Sequence, residues 1–193
     1  MSHPAPVGYS ARRDDPGIAS LMGMWLLCCL ALLAGAVELP PQARSLLDRK
    51  YAEWRMAPSA PQIESWFEQY MPALRPNLVF GDFNRDGRTD YAVQVISGGK
   101  QHVVAFVAST TGYSMMPLSA DDPDPFTFLV IYKRGEKDFD FEHMKPFRYS
   151  ADALGVLYLK KTAVTYSWSG KQFARREAPG DEEVEAARAD KSR

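Results

Sequence analysis

The sequence predicts a mainly β (α+β) protein: an antiparallel β meander preceded by two short helices, behind an N-terminal signal segment. Three observations carry this. From Leu78 to Phe173, apolar residues recur with a period of two, in short runs. Between the runs stand Gly-containing turns such as Ser97-Gly98-Gly99-Lys100-Gln101 and Ser169-Gly170, too short for the crossover that parallel strands need. Upstream of Leu78 the period is helical instead. With 46% hydrophobic and 24% charged residues among 193, the chain has the composition of a globular protein, which excludes a wholly disordered one.

The N-terminus comes first. Residues 16–37 carry no charge and are mostly apolar, Arg12-Arg13 precede them, and Ala34-Gly35-Ala36 puts small residues at the −3 and −1 positions of a cleavage site after Ala36. Basic, apolar and small-residue parts in that order describe a secretory signal peptide. The alternative is a retained membrane anchor, since about 20 apolar residues span a bilayer. Either way residues 37–193 reach the far side of a membrane, so the expected location is periplasmic or secreted, or anchored and facing the periplasm. The only two cysteines, Cys28 and Cys29, lie inside the apolar run, so the exported part has no thiol with which to build a disulfide or a zinc site. The chain divides into a signal segment (1–36), a helical N-terminal segment (37–75), an antiparallel β domain (76–177) and a charged tail (178–193) poor in apolar residues and expected to be disordered.

The first helix is expected over residues 42–55, where Leu46, Leu47, Tyr51 and Trp54 alternate with charged residues. The second begins at Ser59-Ala60-Pro61-Gln62, which has the form of a capping box. Ile63, Trp66, Phe67, Tyr70 and Met71 then make one apolar face, and Pro72 ends the helix. Strands are expected over residues 78–80, 90–97, 102–109, 112–118, 126–133, 138–142, 155–160, 163–168 and 172–176. The apolar face of the second helix is expected to cover the sheet or one end of it, with Trp66 buried.

One segment carries chemistry: Gly81-Asp82-Phe83-Asn84-Arg85-Asp86-Gly87-Arg88-Thr89-Asp90. Oxygen-bearing side chains stand at alternate positions, Asp82, Asn84 and Asp86, and again at Asp90. Gly87 permits the sharp turn that a side chain would obstruct, and Arg88 can offer its backbone carbonyl. Three carboxylates and a carboxamide crowded together repel unless a hard cation joins them. Six to eight oxygens at about 2.3–2.6 Å is what Ca²⁺ takes. The loop is not an EF-hand, because Val93 stands where that motif needs a bidentate Glu and the residues after Asp90 read as a strand. The bland alternative is an Asp/Asn-rich turn held by its own side-chain-to-backbone hydrogen bonds.

Leu78 to Val93, as a hydrophobic strand, G-D-F-N-x-D-G-x-x-D and a second strand, resembles the calcium-binding half of an FG-GAP (VCBS, integrin-alpha-like) repeat. The resemblance implies a Ca²⁺ site between two strands, with Asp82, Asn84, Asp86 and Asp90 giving side chains and Arg88 a carbonyl. It covers about 20–30 residues. The chain holds no second copy of the motif, so the resemblance implies a small stand-alone β domain and not a propeller.

Elsewhere the signals are bland. His102 and His143 fall on different expected elements with no serine-nucleophile motif beside them. Asp138, Asp140 and Glu142 alternate with Phe139 and Phe141, which reads as a strand with a solvated face. With 23 Lys+Arg against 24 Asp+Glu, the net charge of −1 lacks the basic footprint of a nucleic-acid binder. The expectation is an exported, non-enzymatic Ca²⁺-binding β module in which the ion is structural. An unknown protein or cell-envelope partner is expected, and membrane contact only through an uncleaved N-terminal segment. A calcium-dependent adhesion or protein-binding module and a small periplasmic hydrolase using either histidine are the alternatives. Protein recovered from the envelope fraction should begin at Val37 by intact mass; a full-length species embedded in membrane means the anchor.

Overall fold

The computed structural model describes residues 38–72, 74–141, 143–159 and 161–178. The expected signal segment and nearly all of the charged tail lie outside them. Within them, helix α1 (Pro41–Lys50), strand β1 (Arg55–Met56) and helix α2 (Pro61–Tyr70) precede β2 (Leu78–Gly81), β3 (Asp90–Ser97), β4 (Lys100–Ser109) and β5 (Gly112–Asp121). There follow β6 (Thr127–Tyr132), β7 (Lys137–Asp140), β8 (Lys145–Arg148), β9 (Ala153–Tyr158), β10 (Thr162–Trp168) and β11 (Phe173–Ala178).

Every strand pair is antiparallel. The strands make more than one meander, however. The first sheet has the order β1-β3-β4-β5, and β2 lies on the same edge of β3 as β1: Met56 pairs with Val95, and Leu78 with Val93. The second has the order β11-β10-β9-β6, and β7 and β8 form a separate two-stranded sheet. The β3–β4 hairpin has the expected bounds almost to the residue. Its two-residue turn needs positive φ at both positions, which Gly98 and Gly99 supply at 56° and 74°.

Alternation along the strands explains the layering. From β3, Ala92 faces a core shared with Leu129, Leu154, Val156, Val164 and Tyr166 of the second sheet. Its neighbours Val93 and Val95 face the opposite way, into a cluster with Ala43 and Leu47 of α1. In β6, Leu129 joins the inter-sheet core, while Phe128 and Val130 pack with Ile63 and Phe67 of α2. The order of layers is α1, first sheet, second sheet, α2. On the α2 side Gly155 is required: a Cβ there would lie 2.7 Å from both Tyr132 Cε2 and Val130 Cγ2, far inside van der Waals contact.

Both helices differ from expectation at their ends. α1 stops at Lys50 and does not reach residue 55, because Tyr51 is extended and Glu53 takes a left-handed φ of 49° to turn the chain into β1. α2 has no capping box. Ala60 is the N-cap and makes no side-chain cap hydrogen bond, and Pro61 opens the helix with a fixed φ and no N–H to satisfy. The expected burial of Trp66 is also corrected. Ile63 and Phe67 are buried, whereas Trp66 is 41% and Tyr70 61% exposed. Phe67 meets Phe128 edge-to-face at 5.8 Å, and Trp66 flanks the same ring at 6.5 Å. Phe67→Ala should therefore cost about 3–5 kcal/mol in chemical denaturation, and Trp66→Ala less than about 1.5 kcal/mol. Equal losses would mean that α2 sits differently on its sheet.

Candidate metal centre

The acidic loop joins β2 to β3, entering at Gly81 and leaving at Asp90, which pair across the hairpin. It curls around one carboxylate. Asp82 Oδ1 accepts the Asp86 N–H at 3.0 Å, and Oδ2 accepts the Gly87 N–H at 3.0 Å. Asn84 Oδ1 accepts that same Asp86 N–H at 3.1 Å, so oxygens from two of the expected ligands converge on one nitrogen. The curl needs left-handed backbone at Arg85 (φ 63°) and Gly87 (φ 80°). Asp86 is exposed. The Arg88 N–H, and then Asn84 and the Arg88 guanidinium, hold its carboxyl below the usual carboxylate range. Its Oδ1 accepts the Arg88 N–H at 2.9 Å and its Oδ2 the guanidinium at 3.1 Å.

Asp90 lies elsewhere. It is completely buried. Its Oδ2 accepts the N–H groups of Phe83 at 2.7 Å and Asn84 at 3.4 Å, and its Oδ1 accepts that of Ala108, near the end of β4, at 2.7 Å. The structure therefore brings Asp82, Asn84 and Asp86 together with the Arg88 backbone, and turns Asp90 inward as a brace beneath them. Burial pushes the Asp90 carboxyl up to about 6, against the pull of its three N–H donors. The folded-state value exceeds the unfolded-state 3.8, so the folded protein takes up the proton first. This group's effect on stability becomes more favourable as pH falls from above 6 toward 4.

A residue the sequence reading missed ties the loop to the second sheet. Asp152, just before β9, accepts the Asp82 N–H at 3.3 Å and returns its own N–H to the Asp82 carbonyl at 3.2 Å. It also accepts from Lys133 Nζ at 2.8 Å and the Arg134 N–H at 3.0 Å. Burial opposes ionisation here, but these donors win and hold its carboxyl below the usual range. Ser150-Ala151-Asp152 carries no motif that would reveal this. Among the described residues, no three His, Cys, Asp or Glu side chains are grouped as a metal site would group them. The loop carboxylates point at loop amides instead.

The other candidates have local partners. His102, on β4, rests against the Tyr51 ring at 4.7 Å with Nε2 3.2 Å from the Ser97 carbonyl. His143 is in the β7–β8 turn beside Asp140. The expected solvated face of 138–142 is corrected. Asp140 is only 6% exposed and bonded to the His143 N–H, and Asp138 accepts the Tyr149 hydroxyl. Glu142 lies outside the described residues.

Asp90→Ala would leave the Phe83 and Ala108 N–H groups without their acceptor, so it should cost about 2–4 kcal/mol in denaturant titrations with chelator present. A loss below about 0.5 kcal/mol would show that the loop does not depend on this brace. No protein-family model, curated protein or solved structure matches the chain.

Proposed function

We propose that the chain is an exported, non-enzymatic Ca²⁺-binding β module in which the ion holds the 82–88 loop closed. The observation that carries this reading is the convergence of Asp82 and Asn84 oxygens on a single backbone nitrogen, with Asp86 beside them at the surface. The donor chemistry fits a hard cation: carboxylate, carboxamide and carbonyl oxygens, with neither sulfur nor imidazole among them. Asp82, Asn84, Asp86 and the Arg88 carbonyl would hold it. Each carboxylate oxygen has two lone pairs, so accepting one N–H leaves capacity for a cation. Asp90 would serve from beneath, by fixing the N–H groups of Phe83 and Asn84. The bound ion supplies charge neutralisation between Asp82 and Asp86. The loop's own residues supply the turn, through Arg85 and Gly87, and the attachment to both sheets, through Asp90 and Asp152. The FG-GAP resemblance, the hairpin setting and the signal-like N-terminus support the same reading.

The experiment is a calcium titration of the full chain followed by thermal melting. Free Ca²⁺ at 100 times the dissociation constant should add about 2.7 kcal/mol of stability. The dissociation constant should fall in the range of about 10⁻⁴–10⁻³ M, since no bidentate Glu completes the loop. Asp86→Ala should abolish the effect. Asp122→Ala should leave it intact, because Asp122 pairs with Lys100 and takes no part in the loop. Mg²⁺, which demands tighter octahedral geometry, should substitute poorly. If wild-type protein melts identically in chelator and in millimolar calcium, residues 82–90 are a self-bonded turn and the reading fails.

A further inference from the structure

The two-stranded sheet of β7 and β8 sorts its charges by face. Its register sets Lys137 opposite Arg148, Asp138 opposite Phe147, and Phe139 opposite Pro146. Alternation then puts Lys137, Arg148, Phe139 and Pro146 on one face, and Asp138 and Phe147 on the other. The second face is turned to the protein: Asp138 accepts the Tyr149 hydroxyl, and the Arg176 guanidinium lies 4.5 Å from the Phe147 ring centroid. Asp140, only 6% exposed, accepts the His143 N–H and lies 3.8 Å from Arg176 Nε. On the first face Lys137, Pro146 and Arg148 are exposed.

Like charges directly opposite one another weaken a ribbon in water, and Lys137 and Arg148 are such a pair. Among the described residues neither has a carboxylate within 4.0 Å, whereas the nearby Lys133 and Arg176 do. From 133 to 148 the exposed cations are Lys133, Arg134, Lys137, Lys145 and Arg148. Against them stand exposed Glu136 and, outside the described residues, Glu142. The far end of the ribbon is apolar. Phe141 is 43% and Met144 64% exposed, and the Phe141 ring meets Phe139 edge-on at 5.1 Å. Met144 holds a left-handed φ of 51°, where Gly or Asn is favoured over a long apolar side chain.

An acidic soluble partner would match the cations and leave Phe141 and Met144 in water. A second copy, meeting like face to like face, would set Lys137 and Arg148 against their own charge. A bilayer with anionic lipid accommodates both features, since apolar groups sink into its interface and cations stay at the headgroups. The dimensions agree. Four residues separate Phe141 from Lys137 and Met144 from Arg148, about 13 Å along a strand. With the tip sunk by about 5–10 Å, the cation pair stays within a Debye length, about 8 Å, of the lipid surface.

We propose that the β7–β8 ribbon is a peripheral membrane contact that docks on bilayers containing anionic lipid. Phe141 and Met144 enter the interface, and Lys137, Lys145 and Arg148 take the headgroup phosphates. The contact is separate from the expected N-terminal segment and shares no residue with the 82–90 loop.

The test places a polarity-sensitive nitrobenzoxadiazole dye at His143→Cys in the full chain carrying Cys28→Ser and Cys29→Ser. A control carries the dye at Asp122→Cys, beyond the Thr127 end of β6, whereas the ribbon follows the Tyr132 end. Vesicles are of phosphatidylcholine alone or with about 30% phosphatidylglycerol. Chelator is present throughout, so the outcome does not turn on the calcium reading. Anionic vesicles should shift the emission at 143 to the blue and expose it to quenching by doxyl-labelled lipid. Phosphatidylcholine should do neither, and position 122 should respond to neither vesicle. A local dye stays readable even where the N-terminal segment holds the chain on both kinds of vesicle. Lys137→Gln and Arg148→Gln should each lower the ratio of buried to exposed dye about fivefold. Lys100→Gln, at the Asp122 end, should not change it. Should a charge variant fail to fold, the contrast between the two vesicles still decides. Equal response to both vesicles, equal response at both positions, or an unchanged ratio in folded charge variants would overturn the proposal. So would a shift without vesicles: one that grows with protein concentration assigns the tip to a second copy, and one induced by soluble polyglutamate assigns it to an acidic polymer.

Discussion

β3 is buried on both faces, and the rest of the architecture follows from that constraint. A strand with Val93 and Val95 on one side and Ala92 on the other cannot present either face to water. One side needs a second sheet and the other a helix, and the chain supplies both. The same demand recurs in β6, where Leu129 faces inward and Phe128 and Val130 face α2. The two short helices are thus lids on the outer faces of a two-sheet sandwich, and neither would hold its place without the sheet beneath it. The acidic loop springs from the first residue of β3, so it is framed by a strand buried on both faces.

The sequence reading recovered the parts of this architecture that depend on neighbours in the chain. The β3–β4 hairpin was legible because Gly98-Gly99 sets its turn and alternation sets its faces. What decides between one sheet and two is a contact from β6 to β9, and no local pattern records it. β1 is two residues long and β8 contains Pro146, so neither offers an alternating run to detect. Trp66 illustrates a different limit. At about 100° per residue, Trp66 and Tyr70 fall on one flank of the apolar arc and Phe67 and Met71 on the other. Composition alone does not say which flank the sheet will meet. Phe128 decides it by taking the Phe67 ring edge-on.

At the loop, spacing located the oxygen-bearing residues but not their directions. Asp90 begins a strand, and strand parity places it on the face of Ala92, toward the interior. There its carboxylate finds three backbone amides. Asp82, Asn84 and Asp86 precede the strand, where the left-handed turns at Arg85 and Gly87 keep them on the surface. A D-x-N-x-D-G spacing is compatible with both a cation shell and a network of Asx turns, because the same oxygens serve each. The two descriptions share one backbone, so a cation arriving at this loop would meet a turn already shaped.

The pairing order of the strands also bears on how the chain assembles. β3, β4 and β5 follow one another through tight turns, as do β9, β10 and β11, so these hairpins close only short loops. Two pairings are less local: β1 with β3, across α2 and β2, and β6 with β9, which arrives only after the β7–β8 ribbon has been made. Closing the longer loops costs more chain entropy, and non-local pairings of this kind slow folding. Synthesis from the N-terminus would complete the first sheet while β6 still lacks its neighbour. Until β9 appears, Phe128, Leu129 and Val130 form an unpaired apolar edge, open to wrong partners during biogenesis.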